Sequence, residues 1–320
     1  MGLLAVALGA LALSGCPHDA SLGTVTFPRA KALHAVSLSS CKDRVIGKPR
    51  AHGRRRVRSR GGHVAAIRVR HRSNEQTGTQ TITVDGHAVY TVREDYRSVP
   101  AGSPGPLGLV GWSPDGHWLF FFVDPMGSAS IIADGIQLKA LRLPDARVFP
   151  VTTFLRYPDY LTWCGSTLVL AAGGDRLATH TKRLVVARAP DWKPRPLWND
   201  RQRAFGSVSC APDGRSVAVL SQPAAGNDYN FFHTRWRLWR VGLDGSRKLL
   251  DVPPKGWADE SPRWSRNGRA LLFVREQKGR GKLMLWRAGH VTGPIADIGF
   301  SLGYYGHHDW WESATWSAGA

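Results

Sequence analysis

The sequence predicts an all-β fold: a six-bladed β-propeller of four-stranded antiparallel blades, closed by N- and C-terminal strands that share one blade. A turn motif recurs about every fifty residues, and no amphipathic helical pattern recurs beside it. The 320 residues include 35 Gly and 20 Pro, which is typical of a chain with many tight turns. These observations exclude a helical solenoid and favour short strands repeated around an axis.

The repeat is clearest where a tight turn leads directly into an apolar strand. Trp112–Gly116 reads WSPDG, Cys210–Gly214 reads CAPDG and Trp264–Gly268 reads WSRNG. Pro fixes φ for the turn, and Asp-Gly or Asn-Gly supplies the positive φ that joins antiparallel strands. The following runs are apolar without alternation, which predicts strands covered on both faces. With weaker copies included, six anchors begin the units, at spacings of 54, 51, 47, 54 and 52 residues: Arg58, Trp112, Trp163, Cys210, Trp264 and Trp316.

A second turn signal lies later in each unit, so each unit is predicted to hold four short strands. Five full units run from about residue 58 to 315. The strand at Trp316 opens a sixth unit, and the segment 22–46 supplies its remaining strands. Joining the chain ends in one blade removes an edge that would otherwise be open to aggregation.

The N-terminus resembles a bacterial lipoprotein signal. Residues 3–13 are almost wholly apolar, which is too short to cross a bilayer but has the length of a signal-peptide core. Leu13-Ser14-Gly15-Cys16 follows and resembles a lipobox, whose Cys is lipidated, although no Lys or Arg precedes Arg29. We expect a signal peptide at 1–16, a tether at 17–21 and a single propeller domain at 22–320. The expected location is the outer side of the cytoplasmic membrane, the periplasm or the extracellular space.

The WSPDG turn, its apolar strand and this period together resemble the TolB-like, WD-type propeller repeat of bacteria. The resemblance covers roughly residues 22 to 320 and is specific for fold but weak for function. TolB proteins carry a further N-terminal domain, for which this chain has no room before its first strand signals. The resemblance therefore implies a propeller of the cell envelope without a specified partner.

The charge is unevenly distributed along the chain. The formal net charge is +19, and the Lys42–Arg72 segment holds twelve basic residues and one acid. Such a segment is either a solvated face or a surface for an anionic polymer. Export makes nucleic acid an unlikely partner, and we expect a monomer.

The four cysteines, Cys16, Cys41, Cys164 and Cys210, show no paired CxxC spacing, which argues against a zinc site. With Cys16 lipidated, the other three allow one disulfide and one free thiol, or three buried thiols.

Carboxylates precede three of the anchors by four residues: Asp159, Glu260 and Glu312. At one level of a central channel they would form an acidic mouth, a weak candidate for calcium, whose preferred ligands are carboxylate oxygens. Alternatively, they cap backbone N–H groups or pair with Arg. No other cofactor is expected.

The loops and connectors opposite the WSPDG-type turns collect the remaining candidate binding residues, many of them aromatic. These are His180, His233, Tyr304, Tyr305, His307, His308, Asp309, Trp310 and Trp311. Tyr and Trp dominate binding hot spots and stack on sugars, but the same side chains would also plug a channel.

We therefore expect a binding or scaffold module for an envelope protein or glycan, with no catalytic residue assigned. The alternative is a ligand sensor or enzyme with a cation-dependent site in the channel. An enzyme would converge polar groups of perturbed pKa in one pocket, whereas a binding module would offer a broad surface.

Overall fold

A computed structural model describes residues 16–49, 56–71, 77–95, 107–123, 135–143, 145–155, 157–175, 177, 180, 182–224, 235–300 and 310–317. The predicted all-β class is confirmed. Within these residues the strands form antiparallel sheets, four of them four-stranded and one eight-stranded. No helix in the described part is long and apolar enough to cross a membrane.

We divide the strands into six groups of four. Group 1 contains β1 (Thr24–Arg29), β2 (Ala32–Ser37), β3 (Asp43–Gly47) and β24 (Thr315–Ser317). Group 2 contains β4 (Arg56–Arg58), β5 (Val64–His71), β6 (Thr77–Val84) and β7 (His87–Asp95). Group 3 contains β8 (Leu107–Trp112), β9 (Trp118–Val123), β10 (Ile136–Arg142) and β11 (Val148–Phe154).

Group 4 contains β12 (Leu161–Cys164), β13 (Thr167–Ala172), β14 (Arg183–Ala187) and β15 (Arg195–Trp198). Group 5 contains β16 (Arg203–Cys210), β17 (Ser216–Pro223), β18 (Arg237–Gly242) and β19 (Arg247–Asp251). Group 6 contains β20 (Ala258–Trp264), β21 (Ala270–Gln277), β22 (Arg280–Arg287) and β23 (His290–Phe300). Short 3₁₀ turns lie at Ala20–Leu22 and Pro158–Tyr160, and the helix α1 spans Trp310–Ser313.

The chain ends meet in group 1, where β24 pairs with β1 and Trp316 lies opposite Val25. Groups 3 and 4 form the eight-stranded sheet because one residue pair, Phe154 and Ala172, links β11 to β13. Each group is otherwise a simple antiparallel meander.

Three copies of the repeat turn have the same hydrogen bonds, which explains the recurring motif. In each, the Gly at the fourth position after the anchor donates its N–H to the carbonyl three residues earlier, at 2.9 Å. These glycines are Gly116, Gly214 and Gly268, with φ of 78°, 66° and 69°, a region that disfavours other residues.

Apolar clusters lie between neighbouring groups, so the second strands of groups 3 to 6 are covered on both faces. In β9, Leu119 and Phe121 pack toward group 2, while Trp118, Phe120 and Phe122 pack toward group 4. This two-sided burial explains the non-alternating apolar run after the turn. Further clusters join group 5 to group 6 and group 6 to group 1.

Candidate functional site

Three elements bring polar side chains together where the first strands of the groups begin, at the edge opposite the repeat turns. The turn Pro158–Tyr160 leads into β12, α1 leads into β24, and β20 starts at Ala258. We call this edge the connector end. Here the first strands of groups 4, 5 and 6 lie side by side, and α1 contacts the Pro158–Tyr160 turn.

Asp159 links three consecutive groups. Its side chain is buried, and its Oδ2 accepts a hydrogen bond from Ser207 Oγ in group 5. The same oxygen accepts from Ser261 Oγ in group 6, at 3.4 Å. Both serines precede their anchors by three residues, one residue closer than Asp159 to its own anchor, so counting back four residues does not select them.

Glu260 lies in the same cluster, and no described residue neutralises its charge. It is 6% exposed and accepts no hydrogen bond from any described residue. Burial raises the pKa of its carboxyl well above the usual range, and Glu276, Asp159 and Asp259 add to the rise. Burial therefore favours the protonated form of Glu260, and a bound cation would favour the ionised form. Burial also raises the pKa of Tyr160 strongly, with smaller contributions from Asp159 and Glu260.

Asp259, beside Glu260, has a cation partner. Its Oδ1 accepts from Arg275 Nε at 2.7 Å, and its carboxyl is fully buried. Arg275 also pairs with Asp251 at the end of β19. Burial raises the pKa of Asp259 to about 8, and Arg275 opposes that rise. This arrangement joins groups 5 and 6 by charge and has the character of a structural tie.

Trp310 and Trp311 do not form the exposed aromatic surface that the sequence suggested as one alternative. Each is 5% exposed, and Trp310 packs against Phe27 in the cluster between groups 6 and 1. Trp311 Nε1 donates to the carbonyl of Ser261 at 2.6 Å. These two tryptophans pack in the interior, since burying their large rings contributes more than exposing them.

The remaining predicted residues are placed only in part. His180 Nδ1 lies 2.5 Å from Asp175 Oδ2, apart from the acid cluster. The backbone of Glu312 lies in α1, without a described side chain. Six further predicted residues lie outside the described residues: His233, Tyr304, Tyr305, His307, His308 and Asp309.

Lys182, a residue that sequence reasoning missed, holds the loop around His180. Its side chain is fully buried and its Nζ donates to the carbonyls of Asp175, Leu177 and His180. Burial lowers the pKa of the Lys182 amine to about 8, with Asp175 opposing. A lysine at the start of a strand carries no sequence signal of burial.

The cysteines form two disulfides, Cys16 with Cys41 and Cys164 with Cys210. The second joins the first strands of groups 4 and 5. The first occupies the sulfur that the sequence assigns to a lipid, and one sulfur cannot carry both. Among the described side chains, no group of three or more His, Cys, Asp or Glu is arranged to hold a metal ion.

Comparison with known proteins places this geometry in context. No family model matches the chain. A segment of 47 residues, 14% of the chain, is 47% identical to the Tol-Pal system protein TolB of Rhizorhabdus wittichii. Another of 52 residues, 13% of the chain, is 38% identical to TolB 1 of Novosphingobium aromaticivorans. The matches span 10% and 12% of those two proteins, which is the length of one repeat here.

Among solved structures, TolB from Acinetobacter baumannii matches with 14% identity and a TM-score of 0.44, over 85% of this chain and 62% of that one. An oligogalacturonate lyase in complex with manganese matches with 9% identity and a TM-score of 0.47, over 81% of this chain and 69% of that one. The chain is thus an all-β protein of repeated four-stranded sheets with partial similarity to TolB.

Proposed function

We propose that this protein is an exported β-propeller of six blades that binds a protein or glycan of the cell envelope through its connector end. The six strand groups would be the blades, and the pairing of β24 with β1 supports a shared first blade. The short similarity to two TolB proteins and the signal-like N-terminus support the envelope location.

The observation that carries the proposal is that the connector end buries polar and acidic side chains at an energetic cost to the fold. Asp159, Ser207, Ser261 and Glu260 converge there from three groups, and Glu260 lacks a neutralising partner among the described residues. Burying an unpaired acid destabilises a fold, and such strain is typical of functional positions. The opposite end, in contrast, consists of repeat turns whose hydrogen bonds already explain their residues.

Affinity capture from envelope extract tests this assignment. Wild-type protein, Glu260→Gln with Asp159→Asn, and a turn-end control, Asp213→Asn with Asp115→Asn, would each be tagged and exported. We expect the connector pair to weaken capture by about tenfold, the effect of losing a hot spot, while the turn-end pair leaves it unchanged. Equal loss in both variants, or none in either, would contradict the proposal.

We further propose that Cys16 carries the membrane anchor, because Leu13-Ser14-Gly15-Cys16 resembles a lipobox. The disulfide with Cys41 is the competing fate of the same sulfur. Mass spectrometry of the exported protein decides between them: a lipid-sized mass increase on Cys16 supports the anchor, and a peptide linking Cys16 to Cys41 excludes it.

A cation-dependent channel site is the second candidate function, favoured by the proximity of the carboxylates of Asp159 and Glu260. If calcium binds there, it raises the melting temperature of the wild type. Glu260→Gln with Glu312→Gln would abolish that shift. A shift that survives both substitutions, or no shift in the wild type, removes this candidate.

A further inference from the structure

A corner between groups 4 and 5 gathers donors and positive charge without acceptors. Trp198 is the last residue of β15, Arg203 the first of β16 and Arg237 the first of β18. Trp239 follows two residues after Arg237. We call these four residues the cationic corner; it lies at the connector end and contains none of the residues that bond to Asp159.

Strand register places the corner on one face of group 5. Arg237 and Phe205 both lie opposite Ser221, so the three side chains share a face. Trp239, two residues from Arg237, shares it as well. The Trp198 ring reaches this face from group 4, with its centroid 5.1 Å from that of Trp239 and 5.1 Å from that of Phe205.

Arg203 stacks on both tryptophans. Its guanidinium carbon lies 5.4 Å from the Trp198 centroid and 5.5 Å from the Trp239 centroid. Arg247 covers Trp198 as well, at 4.9 Å. The rings thus fix the direction of Arg203 and concentrate cations at one place.

Four N–H groups of the corner are buried and meet no acceptor anywhere in the described structure: Arg203 Nη2, Arg237 Nε, Trp198 Nε1 and Trp239 Nε1. Arg203 Nε, by comparison, donates to Ser221 Oγ at 2.8 Å. Trp198 is 7% exposed, so its indole N–H has little access to water. A buried donor without an acceptor is destabilising, so four of them in one corner favour the binding of a ligand that supplies acceptors.

The charges in the corner also favour the binding of an acceptor, because positive charge there is not neutralised by any described residue. Neither Arg203 nor Arg237 forms an ion pair with a residue that the structure describes, and their charges act against each other. Burial lowers the pKa of Arg203, Asp200 opposes from a distance, and Arg237 lowers it further. Both arginines remain partly exposed, which leaves the corner open to a small solute.

We propose that the cationic corner is a binding site for an oxyanion, a carboxylate or phosphate group presented by a ligand or partner. Oxygen lone pairs would satisfy guanidinium and indole N–H groups together, and the negative charge would offset the two arginines. The site does not depend on the Asp159–Glu260 cluster and would stand if that cluster had no binding role.

Calorimetric titration of the intact protein with sodium phosphate, sodium sulfate and sodium acetate, against sodium chloride at equal ionic strength, tests the proposal. We expect at least one oxyanion to bind, with Arg237→Gln weakening it about tenfold or more, the loss typical of a charge-assisted hydrogen bond. Trp239→Phe, which keeps the ring and removes the N–H, should weaken it by a smaller factor. Binding of acetate alone identifies a carboxylate ligand, and binding of phosphate or sulfate alone a tetrahedral one.

Arg240→Gln is the matched control for general attraction to this basic protein. Arg240 lies in the same strand and covers a tryptophan, Trp264, at 5.7 Å, but it pairs with Asp213 at 3.1 Å. Arg240→Gln changes the net charge by the same amount as Arg237→Gln does, and it should leave oxyanion binding intact. The proposal is overturned if no oxyanion binds, or if Arg240→Gln weakens binding as much as Arg237→Gln does.

Discussion

Two neighbouring junctions surround partly buried arginines in opposite ways. Between groups 5 and 6, Arg275 is neutralised by Asp259 from β20 and by Asp251 from β19. Both carboxylates come from strands that this junction brings together, so the guanidinium fastens one group to the next.

Between groups 4 and 5, the positions that correspond in the repeat to Arg275, Asp259 and Asp251 hold no acid. The anchors of groups 5 and 6 are 54 residues apart, so Ser221 corresponds to Arg275 and Phe205 to Asp259. Trp198 lies opposite Leu184 as Asp251 lies opposite Leu238 in the next group. The cations here, Arg203 and Arg237, enter from other positions and face aromatic rings instead of carboxylates.

The comparison teaches that charge content alone does not separate structure from function in this protein. A buried guanidinium with two carboxylates is satisfied within the fold and is a stabilising tie. Two neighbouring guanidiniums without an acid repel each other, and a negatively charged ligand can offset that repulsion. Each junction can be altered by substitution, and the predicted effects differ in size and sign.

The largest effect is expected from Arg275→Met, which leaves the fully buried Asp259 without its cation. Breaking a buried pair from one side typically costs about 3–5 kcal/mol. We expect the lower end of that range near neutral pH, because burial already raises the pKa of Asp259 to about 8 and the acid takes up a proton. Urea unfolding measures the loss.

Adding Asp259→Asn to Arg275→Met should recover part of the stability, since it removes the isolated acid. Arg240→Met is the control: its partner Asp213 is exposed, and such pairs contribute about 0–1 kcal/mol. If the two arginines cost the same, the junction between groups 5 and 6 is not an electrostatic tie.

An intermediate effect, with a pH dependence, is expected at Glu260, which lies beside Asp259 but pairs with no arginine among the described residues. Its pKa is raised in the folded protein, so between the unfolded and folded pKa values the folded state binds more protons. Wild-type stability therefore falls as pH rises above about 4.3, by at most ~1.4 kcal/mol per pH unit from this group.

Glu260→Gln should remove that slope. We expect it to be nearly neutral at about pH 4, where wild-type Glu260 is protonated, and stabilising at about pH 7. Thermal melts across this range, without divalent cations, provide the measurement. A variant that is destabilised equally at both ends of the range would show that the carboxylate makes a specific stabilising contact.

The sequence predicts the fold well because its signals are local. Turn chemistry at Trp112 and Trp264 sets the repeat, and the C-terminal strand at Trp316 lies against Val25 in the first sheet, as the pairing of the chain ends predicted. Counting back from the anchors selects Asp159 and Glu260, whose charges interact in the structure, together with Glu312, whose side chain lies outside the described residues. The disulfide between Cys164 and Cys210 does have a sequence signal, because both cysteines lie at or next to anchors of consecutive units.

What could not be predicted depends on contacts between groups. Nothing local distinguishes a Trp310 that faces a partner from one that packs on Phe27. The sequence likewise gives no signal of the cationic corner. Trp198, Arg203 and Arg237 lie in three different strands, which come together only through the packing of groups 4 and 5. Local patterns predict the four-stranded groups, whereas the contacts between groups depend on how the groups are placed relative to one another.

The smallest effect is expected from Arg237→Gln measured for stability alone, without added oxyanion. The substitution relieves the repulsion between Arg237 and Arg203 and removes a buried donor that has no acceptor among the described residues. We expect a gain of about 0.5 kcal/mol at low salt, the scale of one partly exposed charge interaction. The gain should shrink in about 0.5 M sodium chloride, where screening acts over only a few ångströms.

Arg275→Gln should have an effect of opposite sign at the neighbouring junction, because it removes a cation that two acids require. Urea unfolding of both variants at low and high salt measures the contrast. If Arg237→Gln instead costs more than about 1 kcal/mol, Arg237 stabilises the fold through its own contacts, and the corner belongs with the structural tie between groups 5 and 6.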